Sequence, residues 1–291
     1  MKPMLVSIFL LLVFSCANTE PAQIQDHTES NSLSYELVSN ELENPWGMAF
    51  LPDNRILITE KEGRIVLLEG NWVINRDVQG GPVSKTQGQG GLLDIELHPD
   101  FESNSWVYFT YASSAGDGNG AMTALSRAKW TGNSFTDHEV LYKGSPNTTK
   151  SQHFGSRIAF DQDNHVYFSI GDRGERDFNP QNLGRDGGKI FRLNDDGSIP
   201  LDNPFVGQQG VKEAVYSYGH RNPQGMATHP VTGEIWSHEH GPQGGDELNL
   251  IRAGANYGWP VITYGVNYGG STITDETSRP GMEQPITYWV P

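Results

Sequence analysis

A histidine takes up a proton near neutral pH, and a carboxylate beside it can hold its ring in one tautomer. His153, in the run SQHFGSRIAF, stands just before a strand, where Gly155 and Ser156 let the backbone turn. Asp172 ends the next strand, in HVYFSIGD. The two together offer a general base, although a solvated loop histidine is the plainer reading of His153 alone. A second group lies in YSYGHRNPQGM, where Arg221 and Asn222 adjoin a proline-fixed turn. The guanidinium is always charged and presents a planar fork of donors; unaided, it reads as half of a surface ion pair.

A third group is HEHGPQGGDELN, His238 to Asn249, which mixes two histidines, three acids, three glycines and a proline. Zinc would need about four nitrogen or sulfur ligands in a tetrahedron. His238 and His240 share a strand face, but the other candidates are hard oxygens. Calcium takes six to eight oxygens, backbone carbonyls included, and a Gly-Pro turn exposes carbonyls without side-chain bulk. Calcium is the better reading. Asp246 and His240 are read as turn stabilisation and packing.

These residues must be positioned by strands. From Glu41 onward, short alternating runs dominate, among them RILIT, RIVLL, LLDIEL, WVYFTY and HVYFSI, each bounded by Gly, Pro, Asp or Asn. They repeat as pairs: WGMAFLPDNRILITE, LLDIELHPDFESNSWVYFTY, RIAFDQDNHVYFSIGD and QGMATHPVTGEIWSHE. A recurrence of roughly 45 to 65 residues suits propeller blades with inserted loops; a β-sandwich is the alternative. Glu60, Asp172 and Glu239 each close the second strand of a unit. In a propeller such ends ring the central channel, so motifs distant in sequence meet at one mouth.

The whole chain carries a formal charge of −15, which repels phosphate backbones and favours a divalent cation over nucleic acid as partner. Lys2 and the apolar run Met4 to Phe14 read as a signal segment, too short to span a bilayer. The single cysteine, Cys16, follows it, so no disulfide forms within the chain, and its place resembles the lipidated cysteine of a bacterial lipoprotein. Residues 1–16 are then a signal peptide, 17–33 a polar tether, and 34–291 the folded domain. The expected location is outside the cytoplasm, periplasmic or anchored to the outer membrane through lipid on Cys16.

From about Glu41 to Pro291 the chain resembles the soluble quinoprotein sugar dehydrogenases of the glucose/sorbosone dehydrogenase family, and among them the bacterial aldose sugar dehydrogenases. The resemblance rests on GQGGLLDIELHPDF, SQHFGSRIAF with SIGDRG, YSYGHRNPQGM, and HEHGPQGGDELN with ANYGWP. It implies an all-β propeller of the six-bladed type, C-terminally incomplete in this chain. It implies pyrroloquinoline quinone (PQQ) and calcium as cofactors, and oxidation of the anomeric carbon of aldose sugars to lactones, with electrons passed to an external acceptor.

Residue by residue, the resemblance makes His153 the base, assisted by Asp172. Arg221 and Asn222 contact the quinone, with Arg221 stabilising its reduced form. Gln89 hydrogen-bonds it, and the glycines flanking Gln89 would let a flat tricyclic ligand approach the backbone. Tyr268 is a further cofactor contact. Gly241 and Pro242 offer carbonyls to the calcium that grips the quinone, while Glu247 and Tyr257 bind a second, structural calcium, the tyrosine through its carbonyl. Two rivals remain at this point: a calcium-dependent lactonase or related hydrolase on a similar propeller, and a non-catalytic binding module.

Overall fold

The computed structural model describes residues 34–290. The signal segment, Cys16 and the tether expected over residues 17–33 lie outside the described residues. The chain divides into residues 1–37 and a compact unit from 38 to 291, and every strand among the described residues belongs to the latter.

That unit is a propeller of four antiparallel, four-stranded sheets, each built from consecutive strands. The first sheet comprises β1 (Pro45–Phe50), β2 (Arg55–Glu60), β3 (Ile65–Glu69) and β4 (Trp72–Asn75). The second comprises β5 (Leu92–Leu97), β6 (Trp106–Ser113), β7 (Met122–Trp130) and β8 (Phe135–Lys143), with one short helix, α1 (Phe101–Asn104), between its first two strands. The third holds β9 (Ile158–Phe160), β10 (Val166–Ile170), β11 (Lys189–Leu193) and β12 (Val215–Tyr218). The fourth holds β13 (Pro223–Thr228), β14 (Ile235–Glu239), β15 (Asp246–Leu250) and β16 (Thr287–Trp289). Four blades of the expected propeller are present among the described residues, one for each of the four repeated units.

Each repeated unit is the first hairpin of a blade. The turn between its strands ends on a residue with positive φ: Asn54 (67°), Ser105 (57°), Asn164 (64°) and Gly233 (74°). Asn tolerates that region because its short polar side chain can bond locally, and Gly because it has no Cβ. The first strands of successive sheets pack against one another, β1 on β5, β5 on β9 and β9 on β13, and so surround the axis.

A buried hydroxyl on the second strand ties one blade to the next. Thr59 accepts the Gly47 N–H at 3.0 Å and donates to the carbonyl of Leu93. Thr110 accepts from Asp94 N–H at 3.1 Å and donates to Ser156 O at 2.5 Å. Ser169 accepts from Ser156 N–H at 2.8 Å and donates to Pro223 O at 2.7 Å. Each lock gives a buried carbonyl of the next blade a hydrogen-bond donor and offers an acceptor to a buried backbone N–H.

Apolar faces fill the wedges between blades. Leu57 and Leu67 meet Phe109 and Phe135 between the first two sheets. Tyr108 and Leu125 meet Phe168 and Phe191 between the second and third. Tyr167 and Ile190 meet Met226, Ile235 and Ile251 between the third and fourth. At the two ends of the array, Met48, Phe50 and Trp72 on the first sheet and Tyr288 and Trp289 on the last are exposed.

Candidate active site

Where the connections of the third and fourth blades meet, a cavity of about 550 Å³ is lined by Gln89, His153, Asp172, Glu175, Arg176, Phe178, Arg221, Pro242, Trp259, Asn267 and Tyr268, among others. A pocket of this size suits a small-molecule ligand. Six of the ten residues expected to carry chemistry face it: Gln89, His153, Asp172, Arg221, Pro242 and Tyr268.

His153 lies on a segment whose backbone is forced into the left-handed region, at φ 58° for His153, 63° for Gly155 and 99° for Ser156. Such a conformation costs of order 1–3 kcal/mol at a non-glycine residue and persists only where the surroundings hold it. Here four side chains from other parts of the fold do so. Gln89 Oε1 accepts the His153 N–H at 2.7 Å, Thr123 donates to Phe154 O at 2.7 Å, Asn222 Oδ1 accepts the Gly155 N–H at 3.0 Å, and Ser169 receives the Ser156 N–H.

The ring of His153 is set by Asp172. Its Nδ1 lies 2.6 Å from Asp172 Oδ1, and Asp172 is 1% exposed against 14% for the histidine side chain. The carboxylate also accepts the Gly174 N–H at 2.7 Å on the same oxygen. Its other oxygen accepts the indole N–H of Trp259 at 2.8 Å. A carboxylate fixed from both sides holds Nδ1 as the donor, which leaves Nε2 as the basic nitrogen. The arrangement can take a proton from a hydroxyl in the cavity.

Arg221 is almost buried, at 6% exposure. It donates to His240 O at 2.9 Å and approaches the Tyr268 hydroxyl at 3.4 Å, and its guanidinium stands 5.5 Å from the centroid of the Trp259 ring. It forms no ion pair with a carboxylate among the described residues, so its charge is directed at the cavity rather than at a surface partner. Tyr268 is 77% exposed at the rim.

The geometry adds structural roles at two of the expected positions. Asn222 is buried behind the His153 segment, where its amide oxygen holds Gly155, and it does not line the cavity. The glycines flanking Gln89 make room for protein. A Cβ on Gly88 would lie 2.4 Å from Ser151 O, and one on Gly90 would lie 2.4 Å from the Phe154 ring. They let the His153 segment seat against the GQGG turn.

Beside the cavity, sharing Arg221, Pro242 and Trp259 with it, is a narrow crevice lined by Glu239, Gly241, Glu247 and Tyr257. Gly241 N–H donates to Asp246 Oδ1 at 2.8 Å, which shapes the Gly-Pro turn. Glu239 is saturated by His220 Nδ1 at 2.9 Å and Arg221 N–H at 2.6 Å. Glu247 has only the Asn249 amide, at 3.1 Å. Burial, and then the charge of Glu239, push the Glu247 carboxyl up to about 8. The Asn249 Oδ1 is buried without a partner. The Tyr257 hydroxyl is spent on Leu250 O at 2.6 Å, so only its carbonyl is available to a ligand. No cluster of three or more His, Cys, Asp or Glu side chains suited to a metal occurs among the described residues. The donor set is one buried and one half-buried carboxylate plus amide and backbone oxygens, which fits a hard cation and not zinc.

Trp259, Gln152, Glu175, Arg176, Phe178 and Asn267 were not singled out from sequence. ANYGWP is a visible motif, but the donor role of Trp259 depends on a carboxylate 87 positions away.

Residues 42–291 match the family model for Glucose / Sorbosone dehydrogenase. The chain is 38% identical over 263 residues to the aldose sugar dehydrogenase YliI of Escherichia coli, covering 89% of this chain and 70% of that protein. The crystal structure of the soluble aldose sugar dehydrogenase of Escherichia coli in its apo-form superimposes with a TM-score of 0.84 at 38% identity, over 87% of this chain and 74% of that one. The PQQ-bound aldose sugar dehydrogenase of Streptomyces coelicolor superimposes with a TM-score of 0.72 at 31% identity, over 88% and 70%.

Proposed function

The chain belongs to the glucose/sorbosone dehydrogenase family, and from that membership we propose that it is a PQQ- and calcium-dependent dehydrogenase that oxidises the anomeric C1 hydroxyl of aldose sugars to lactones. The observation that carries this reading is the fixed His153–Asp172–Trp259 chain at the wall of a cavity that also receives the unpaired charge of Arg221. When bound, the quinone would supply the two-electron acceptor that no side chain of the protein provides.

The protein's own part follows from the geometry. His153 takes the proton of the C1 hydroxyl at Nε2 as the hydride leaves C1, so that no high-energy cation forms. Asp172 stabilises the imidazolium and keeps its orientation. Arg221 supplies fixed positive charge at one side of the cavity, where negative charge develops. Gln89 contributes twice, by lining the cavity and by holding the His153 backbone. Gly241 and Pro242 would offer carbonyls to a calcium at the cofactor, and Glu247 with the Tyr257 carbonyl to a structural one. The electrons then pass to an external acceptor.

Two wider readings accompany this. The exposed Met48, Phe50, Tyr288 and Trp289 support a ring of the six-bladed type, in which further strands would cover them. The Lys2-to-Phe14 segment and Cys16 support export and lipid anchoring outside the cytoplasm.

One assay tests the function: protein freed of cofactor is supplied with PQQ and calcium, an aldose and an artificial dye. Dye reduction that requires all three additions is the expected result. Acid release from a lactone without dye reduction would replace the dehydrogenase with a hydrolase, and neither activity would leave a binding module.

A further inference from the structure

Arg173 is the largest side chain with no exposure at all, and its place next to Asp172 in sequence gives it no reason to be buried. Its guanidinium carbon lies 3.3 Å from the centroid of the Phe154 ring. Its Nη2 donates to Lys150 O at 2.9 Å. Nε and Nη1 have no hydrogen-bond partner, and no carboxylate pairs with it among the described residues. Burial pulls its pKa down to about 9. A buried cation so poorly compensated costs several kcal/mol, and its backbone adds strain at φ 58°.

What this arrangement achieves is mechanical. Lys150 and Phe154 flank His153 on either side along the chain. Arg173, one residue beyond Asp172, grips both of them. The stack on Phe154 and the bond to Lys150 use different parts of one rigid planar group, which a lysine cannot reproduce.

We propose that Arg173 is a positioning residue that clamps residues 150–154 against the Asp172 turn and thereby fixes His153 at hydrogen-bonding distance from Asp172. The proposal rests on the dehydrogenase reading only for its effect on turnover, because the His153–Asp172 contact exists in the protein by itself.

The test uses Arg173→Met, which keeps the apolar stem and removes charge and donors. The low-field proton resonance of His153 Nδ1–H is recorded in the protein without quinone or sugar, and identified by its loss in His153→Gln. In Arg173→Met this resonance is expected to broaden or move. After reconstitution, kcat is expected to fall at least about 10-fold, with KM changed less than about 2-fold, since small misplacements of a reacting group cost that much or more. Leu57→Ala, in the core between the first two blades, serves as a variant matched for lost stability and should leave both readouts unchanged. Arg173→Lys should fall between the wild type and Arg173→Met. A wild-type resonance and wild-type kcat in Arg173→Met, with only a lower Tm, would overturn the proposal. If that variant does not fold, the same wild-type readouts in Arg173→Lys would overturn it. An altered resonance in protein that shows no sugar oxidation would uphold the clamp while removing the dehydrogenase reading.

Discussion

Asp172 holds His153 at 2.6 Å through one carboxylate oxygen, and its other oxygen is held in turn by the indole of Trp259 at 2.8 Å. The imidazole of His153 is thus oriented by a carboxylate that is held through both of its oxygens. Trp259→Phe keeps the ring in the wall and removes the second hydrogen bond. A bond to a charged group contributes about 1.5–3 kcal/mol. The variant should lose roughly 10-fold in kcat and about 1–2 kcal/mol of stability. Steady-state kinetics of the reconstituted enzyme would expose the idea as wrong if kcat stayed at the wild-type value.

The blade locks make a separate prediction. Thr110→Val is nearly isosteric, but it strands the Asp94 N–H and the Ser156 carbonyl inside the protein. Each buried group left unpaired costs about 1–3 kcal/mol, so denaturant unfolding should show a loss of roughly 2–6 kcal/mol. A loss below about 0.5 kcal/mol would mean that the lock is incidental.

Glu247 tests the cation. Added calcium should raise the Tm of the wild-type protein, because an ion that binds only the folded state stabilises it by mass action. Glu247→Gln should melt at a temperature indifferent to calcium while changing kcat far less than His153 variants do. An undiminished calcium response in Glu247→Gln would remove this residue from the site.

Glu96, on β5, gives a pH dependence. Burial, and then the charge of Asp94, push its carboxyl from the usual 4.5 up to about 7. The folded protein therefore keeps a proton that the unfolded chain releases at 4.5. The stability associated with the neutral carboxyl is complete below 4.5 and is lost as pH rises to about 7, at no more than about 1.4 kcal/mol per pH unit. Glu96→Gln should be more level across that window. Parallel unfolding curves for the two proteins at both ends of it would show that Glu96 does not carry the effect.

The hairpins could be read from sequence because alternation and turn residues are local signals. The four repeated runs became the first hairpins of four blades, and the positive-φ residue before each second strand is Asn, Ser or Gly. The number of blades is a property of ring closure and has no such local mark. Within the site, His153 and Asp172 were visible as types at strand ends, and the structure brings them together. Trp259 and Arg173 were not, since one acts on a carboxylate 87 positions away and the other is an arginine in a polar run, ordinarily a surface residue. Asn222 lies in an evident motif, but only the fold reveals that its amide oxygen holds the Gly155 N–H.

The central claim is that His153 is the base. It lies on a connection held by its backbone, so removing the imidazole should spare the fold. The direct measurement is turnover of His153→Ala with PQQ, calcium and an aldose, alongside quinone binding and Tm. The expected result is a loss of roughly 10² to 10⁴ in kcat, with quinone bound as in the wild type and Tm within a few degrees. Near wild-type turnover in a variant that binds quinone normally would contradict the account.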